Sequence, residues 1–338
     1  MFDKNSIYII AEVGQNHQGD VDKAFEYIKE FSKLGANAVK FQMRDNKFLF
    51  DDEMFNSTYF SNNAFGKTYG EHREFLELSV QEVGKLRDFC KECNVDFICT
   101  PFDEPSLESL EKINPDAIKI ASFDVGNIIF LEKVGLLKKP VIMSTGGANL
   151  NQIDLSIKSL SLTNDKLAVL HCVSKYPCPP NELLLKRIPF LIETYPELVI
   201  GSSDHFNGIL SGPIAYMLGA RVFEKHVTFD RSLKGTDHSF SLEREGFRKF
   251  VRDIKRVPKM LNFELPKDIG NEPVFQRLGK SVIAIRDIAK DKIITKEDLG
   301  GKIFKNPGIP IRDINLVIGN PSEKFYRAGE KILSKKIK

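Results

Sequence analysis

The sequence predicts an α/β protein: a TIM-type (β/α)8 barrel followed by a small β-rich C-terminal domain. Three observations carry that prediction. Short apolar, β-rich runs alternate with amphipathic helical stretches over the first three-quarters of the chain. Eight such runs occur, the number that closes a barrel. Almost every run ends in a polar or charged residue, which gathers chemistry at the strands' C-terminal rim, where this fold places its sites. A doubly wound open sheet shares the alternation, but the eight-fold count favours closure.

In order, the strands read IYIIAEV, NAVKFQ, DFICT, AIKIAS, PVIMST, KLAVLHC, LVIGSSDH and ARVFEKH. Between them lie patterns such as VDKAFEYIKEFSKLG, where apolar residues recur every three to four positions and Gly35 marks the stop. Near-continuous apolar strands separated by helices imply a parallel sheet covered on its faces. The second loop, residues 43–70, is rich in Phe, Asn and Asp, and a loop of that length reads as a flap over the barrel mouth. The barrel pattern finishes with the helix EGFRKFVRDIKRVPKML. The expected division is a barrel over residues 1–262, a Pro- and Gly-containing linker over 263–276, and a second domain of short strands and tight turns over 277–338.

Composition narrows the function. A length of 338 residues suits a barrel plus an appendage. A formal net charge of only +3 gives no reason to propose nucleic acid or membrane as a partner. The apolar runs are strand-length, and the N-terminus enters a strand with no signal-peptide pattern. Five cysteines, an odd number, argue for reduced thiols and a cytoplasmic location. Cys90 and Cys93 form a CxxC inside a predicted helix with no second CxxC, which reads as structural. The early GQNHQG lacks the spacing of a dinucleotide fingerprint and the lysine of a phosphate loop.

Lys40 and Lys119 lie within otherwise apolar strands, and lysine is rarely buried without a partner. A Schiff-base aldolase would use one such lysine in its neutral form. Paired lysines beside hydroxyls look more like a phosphate or carboxylate cradle. The hydroxyls are Thr100, Ser122, Ser144, Thr145, Ser174 and Ser203, all at strand ends. His205 and His226 end consecutive strands, so both reach the same rim and could hold a divalent metal with positions left open for substrate and water. Glu12 closes the first strand as a general base, a water-orienting group or a metal neighbour, or else as a structural partner of Lys40. Asp237 and His238 in GTDHSFSLE follow the last strand and could support the metal from outside.

AEVGQNHQG, AVKFQ, TPFD, KIASFD, STGG, HCVSKYP, SSDH, EKHVTFD and GTDHSFSLE together resemble the N-acetylneuraminate (sialic acid) synthases and their relatives for legionaminic and pseudaminic acid. The tail KSVIAIRDIAKDKIITKEDL resembles that family's antifreeze-like (SAF, β-clip) domain. The resemblance covers essentially the whole chain. It implies a barrel with a β-rich cap, and a domain-swapped homodimer in which each cap closes its partner's site. It implies condensation of phosphoenolpyruvate with an N-acyl hexosamine-type aldose such as N-acetylmannosamine, giving phosphate and a nine-carbon keto acid by C–O cleavage. Legionaminic- or pseudaminic-type synthesis is the alternative. Two other readings stand apart: a synthase for an unmodified phosphorylated sugar, and a non-catalytic sugar-binding homologue.

By the same resemblance, phosphoenolpyruvate contacts fall to Lys40, Thr100, Lys119, Ser122, Ser144 and Ser203, with Ser174 beside them where members often carry Asn. Metal ligation, usually of Mn²⁺ with Mg²⁺ or Co²⁺ possible, falls to His205 and His226. Glu12, Gln42, Tyr176 and Asp237 fall where the family handles the sugar and the reacting centre. Asp124 replaces a common Glu, one methylene shorter. Asn306 stands in KNPG where the cap usually presents an Arg to the acyl group, which leaves the identity of the sugar open.

Overall fold

The computed structural model describes every residue except 162, 163, 165, 262, 263, 268 and 334–338. The chain divides into two compact units, residues 1–261 and 262–338. Residues 262 and 263, around which the expected barrel–linker boundary falls, lie outside the described residues.

The first unit is a closed barrel of eight parallel strands in sequence order. They are β1 (Tyr8–Gly14), β2 (Ala38–Met43), β3 (Asp96–Pro101), β4 (Ala117–Ile120), β5 (Val141–Ser144), β6 (Leu167–Cys172), β7 (Val199–Asp204) and β8 (Val222–His226). β1 pairs with both β2 and β8, which closes the ring. Because side chains alternate along a strand, each strand feeds two environments. One set, including Ile9, Ala11, Val39, Phe41, Phe97 and Phe223, packs outward against the helices. The other fills the barrel: Tyr8, Ile10, Ala38, Ile98, Ala117, Ile142, Ala168, Leu170 and Val222. Two residues further along the same strands, the inward positions turn polar: Glu12, Lys40, Thr100, Lys119, Ser144 and Glu224. An apolar floor under a charged upper layer is thus written into a period of two.

The helices start and stop on local chemistry. α1 (Val21–Lys33) is capped by Asp20, whose carboxylate accepts from the Asp22 and Lys23 amides. The expected flap is ordered by three short helices: α2 (Asn46–Leu49), α3 (Asp52–Asn56) and α4 (Tyr69–Leu76). α4 and α5 (Val80–Glu92) each open with a reciprocal capping box, Thr68 with Glu71 and Ser79 with Glu82. α6 (Glu104–Ile113) ends on Asn114 in the left-handed region, which Asn tolerates. α7 (Ile128–Leu136), α8 (Leu150–Ser161), α9 (Arg187–Thr194), α10 (Ser211–Met217) and α11 (Arg244–Met260) complete the outer ring. Cys90 is buried on α5 among Val83 and Leu86, Cys93 sits at its C-cap, and all five cysteines are free thiols.

The first helix of the second unit is α12 (Pro273–Leu278), which begins inside the stretch expected to be a linker and runs two residues past it; Pro273 at its first turn pre-sets the helical φ. Strands β9 (Lys280–Ala284) and β10 (Leu299–Ile303) pair antiparallel. Single bridges such as Ile283 to Lys331 and Ile288 to Tyr326 add to them. Val282, Ala284, Ile288, Ile294, Leu299, Val317 and Tyr326 make a core of its own. Asn306 is exposed, and its carbonyl accepts from the Lys331 ammonium at 2.8 Å. No helix among the described residues is long and apolar enough to cross a membrane.

Candidate active site

The C-terminal rim of the barrel opens into a cavity of about 620 Å³. At its base lies a buried charge cluster. The Lys40 ammonium is 3.1 Å from Glu12 and 3.4 Å from Glu224, and Lys119 is 3.9 Å from Glu224. Lys40 also reaches the Thr100 hydroxyl at 3.5 Å, Lys119 donates to the Ile120 carbonyl at 3.0 Å, and Ser203 donates to Glu224 at 3.0 Å. Gln42 donates to Glu12 at 2.7 Å. Strand register explains the grouping, since Glu12 is level with Lys40 on one side and His226 on the other, and Ser203 with Glu224.

The cluster tunes its own members. Burial raises Glu12; Lys40 opposes and Glu224 reinforces, leaving the carboxyl pushed up to about 7. Burial would raise Glu224 too, but Lys119 and Lys40 outweigh it and hold that carboxyl down at about 2. Burial pushes Lys119 down to about 8 against the pull of Glu224. For Lys40 burial is overcome by Glu12 and Glu224, so its ammonium is held charged.

Hydroxyls surround the lysines. Ser122 accepts from the Gly146 amide at 2.8 Å, while the Ser144 and Ser174 hydroxyls are buried without a partner. Gly146 lets these hydroxyls close in: a Cβ would stand 2.3 Å from the Ser174 hydroxyl and 2.9 Å from that of Ser122, and both would have to turn away.

His205 and His226 face each other across the rim with ring centroids 5.4 Å apart, both against Phe240. Nδ1 of His205 is taken by the Val173 carbonyl at 2.8 Å, which leaves its other nitrogen for a ligand. Nδ1 of His226 is buried without a hydrogen bond, 3.6 Å from the Asp237 carboxylate. Burial lowers both imidazoles, and for His226 the neighbouring His205 and Lys40 add to it; His205 is partly held up by its bond to Val173. Neutral rings are the form that binds metal, so this donor pair fits a divalent ion. Among the described residues no group of three or more His, Cys, Asp and Glu side chains is arranged to hold one. Two imidazoles would leave most positions to substrate and water.

The NeuB family model matches residues 27–264, most of the barrel. The chain belongs to the NeuB family. It is 34% identical to the N-acetylneuraminate-9-phosphate synthase of Drosophila melanogaster, across 98% of this chain and 96% of that protein. The N,N'-diacetyllegionaminic acid synthase of Legionella pneumophila is 33% identical, over 96% and 93%. Among solved structures, the N-acetylneuraminic acid (sialic acid) synthetase of Leptospira borgpetersenii superposes with a TM-score of 0.69 at 32% identity, covering 81% of this chain and 92% of that one. The NeuB relatives are named as synthases of nonulosonic acids, and this chain is an enzyme of that family.

Most residues singled out in the sequence meet in this NeuB cavity: Glu12, Lys40, Gln42, Thr100, Lys119, Ser122, Ser144, Tyr176, Ser203, His205, His226 and Asp237 line it. Ser174 stands just behind, against Gly146. Asp124 does not line the cavity. It sits on the short turn Ser122–Asp124, bonds Asn127 at 3.2 Å, and leaves neighbouring Phe123 to face the opening. His238 turns to the Thr228 hydroxyl at 2.8 Å rather than toward the histidine pair. Asn306 belongs to the second unit. The sequence reading passed over Glu224, although it lies two residues before His226 and strand alternation puts both inside. It also passed over Gln15, Arg44, Phe50, Tyr59, Tyr69, His72 and Arg73, which line the cavity from the first two loops.

Proposed function

We propose that the protein condenses phosphoenolpyruvate with an aldose of the N-acetylmannosamine type, giving a nine-carbon nonulosonic acid and inorganic phosphate. The observation that carries this reading is the buried pair Lys40 and Lys119, opening with the unpartnered Ser144 hydroxyl onto the same cavity as two neutral histidines. Phosphoenolpyruvate offers a phosphate and a carboxylate, and cations with hydroxyl donors are what hold both at once. Lys40, Thr100, Lys119, Ser122, Ser144, Ser174 and Ser203 take that work, chiefly a positioning effect. Gln42, Tyr176 and Asp237 take the sugar.

His205 and His226 would hold a divalent ion, Mn²⁺ in first place with Mg²⁺ or Co²⁺ as substitutes. Bound there, it supplies Lewis acidity for an aldehyde oxygen. The enol carbon attacks the aldehyde carbon, and water adds to C2 of the oxocarbenium ion that results. Glu12, with a proton affinity near neutrality, is placed to take the water's proton. The tetrahedral adduct then loses phosphate by C–O cleavage. In this reading the C-terminal unit serves as the cap of a partner's site in a swapped homodimer, with Asn306 toward the acyl group, and the enzyme works in the cytoplasm.

Phosphate release from phosphoenolpyruvate should require both the aldose and the metal. Chelator-treated protein should lose activity and regain it with Mn²⁺, and His205→Ala or His226→Ala should bind Mn²⁺ roughly tenfold or more weakly by electron paramagnetic resonance. Undiminished turnover in chelator would remove the metal from the account. Absence of phosphate release with every N-acyl aldose would remove the condensation.

A further inference from the structure

On the outer face of β7 and β8, behind the two histidines, a buried ion pair interrupts the apolar layer between barrel and helices. Asp204 and Lys225 each come one residue before a histidine, so strand alternation turns them away from the cavity that His205 and His226 face. Ile200 on β7, and Phe223 and Val227 on either side of Lys225, show what that outward layer otherwise holds. The Lys225 ammonium lies 3.0 Å from the Asp204 carboxylate, with side-chain exposures of 0% and 5%. Such a pair is a poor source of stability, because removing two charges from water offsets much of their attraction. What it fixes is geometry.

The ladder between β7 and β8 ends where Asp204 is level with Lys225, so His205 and His226 stand one step past its last rung. There the ion pair takes over from the ladder. Asp204 accepts from the Phe206 amide at 2.6 Å and from the hydroxyl of Ser211, the first residue of α10, while Lys225 also donates to the Phe206 carbonyl. The backbone just after His205 is thereby tied to the strand that ends in His226. The rings do not supply this tie themselves: Nδ1 of His205 is held by the Val173 carbonyl, but Nδ1 of His226 has no hydrogen bond. We propose that Asp204 and Lys225 are positioning residues for the metal site, setting the separation of His205 and His226 and with it the affinity for a divalent ion. This rests on the metal reading above.

The test measures Mn²⁺ binding by electron paramagnetic resonance, and Tm by calorimetry, on full-length metal-free wild type, Lys225→Met and the double variant Asp204→Asn/Lys225→Met. Lys225→Met strands a buried carboxylate and should lower both Tm and Mn²⁺ affinity. The double variant removes both charges and keeps an acceptor oxygen for the Phe206 amide. It should regain most of the lost Tm while still binding Mn²⁺ about tenfold or more weakly than wild type. Phosphoenolpyruvate affinity without metal, by titration calorimetry, should stay within about twofold, because its cradle lies on the inward face. Mn²⁺ bound as tightly by the double variant as by wild type overturns the proposal, since the pair is then only structural. Phosphoenolpyruvate and Mn²⁺ weakened together also overturn it, because the pair would then hold the whole rim. If the double variant folds poorly, Asp204→Asn alone, which is nearly isosteric, carries the same two expectations. A wild type that binds no Mn²⁺ is a different failure, that of the metal reading itself.

Discussion

Lys119 is the residue whose chemistry most directly exposes the site to experiment. Its ammonium is what an incoming carboxylate or phosphate needs, and burial has brought it down to about 8. The cationic form is full below that value and lost as pH rises through it, so kcat/KM for phosphoenolpyruvate should fall on the alkaline side with a midpoint near 8. Lys119→Met should abolish that limb along with most of the affinity; an unchanged alkaline profile in the variant would assign the limb elsewhere. Lys40 and Lys119 were legible in the sequence because a charge inside an apolar strand demands a partner. Glu12 is the partner of Lys40 that the sequence offered; Glu224, which reaches both lysines, was hidden behind the more conspicuous His226. Asp124, which a motif assigned to the sugar, lies on the tight turn after β4, where its carboxylate accepts from Asn127 and its neighbour Phe123 lines the cavity.

Among the elements, β7 and β8 set the distance between the two histidines, and Gly201 decides how closely they lie. A Cβ there would stand 2.3 Å from the Val222 carbonyl and 2.5 Å from Leu170, and a backbone atom cannot swing aside. Gly201→Ala should therefore cost about 3 kcal/mol, at the upper end for overpacking, or roughly 6–12 °C in Tm by calorimetry. A variant as stable as wild type would mean that the strands yield without strain. The eight strands were readable from apolar runs, and their closure from the count. The second loop was not: its length marked it as a flap, but α2, α3 and α4 are each too short to leave a periodic signal. What they build, an aromatic and arginine wall on the cavity, is legible only in three dimensions.

For the whole molecule, each unit has its own hydrophobic core, the barrel around residues such as Phe31, Phe97 and Phe223, the smaller unit around Val282, Leu299 and Tyr326. A chain ending at residue 261 should fold, with cooperative melting, and should bind phosphoenolpyruvate with affinity close to that of the full protein. If the C-terminal unit completes a partner's site, the truncated barrel should lose sugar affinity, seen as a raised KM, and should no longer dimerise in sedimentation. Unchanged sugar kinetics would contradict that role. The division itself was visible in the sequence as a change from long amphipathic helices to short strands with turns, whereas α12 escaped notice because six residues span fewer than two helical turns.

The central claim is that the buried lysines and the rim histidines serve a condensation that breaks the C–O bond of phosphoenolpyruvate. The most direct measurement supplies phosphoenolpyruvate labelled with ¹⁸O at its bridging oxygen, together with Mn²⁺ and N-acetylmannosamine, and follows both products by mass spectrometry. The account predicts a nine-carbon keto acid without the label and inorganic phosphate that carries it. Label retained in the keto acid, or phosphate formed without any nine-carbon product, would contradict it.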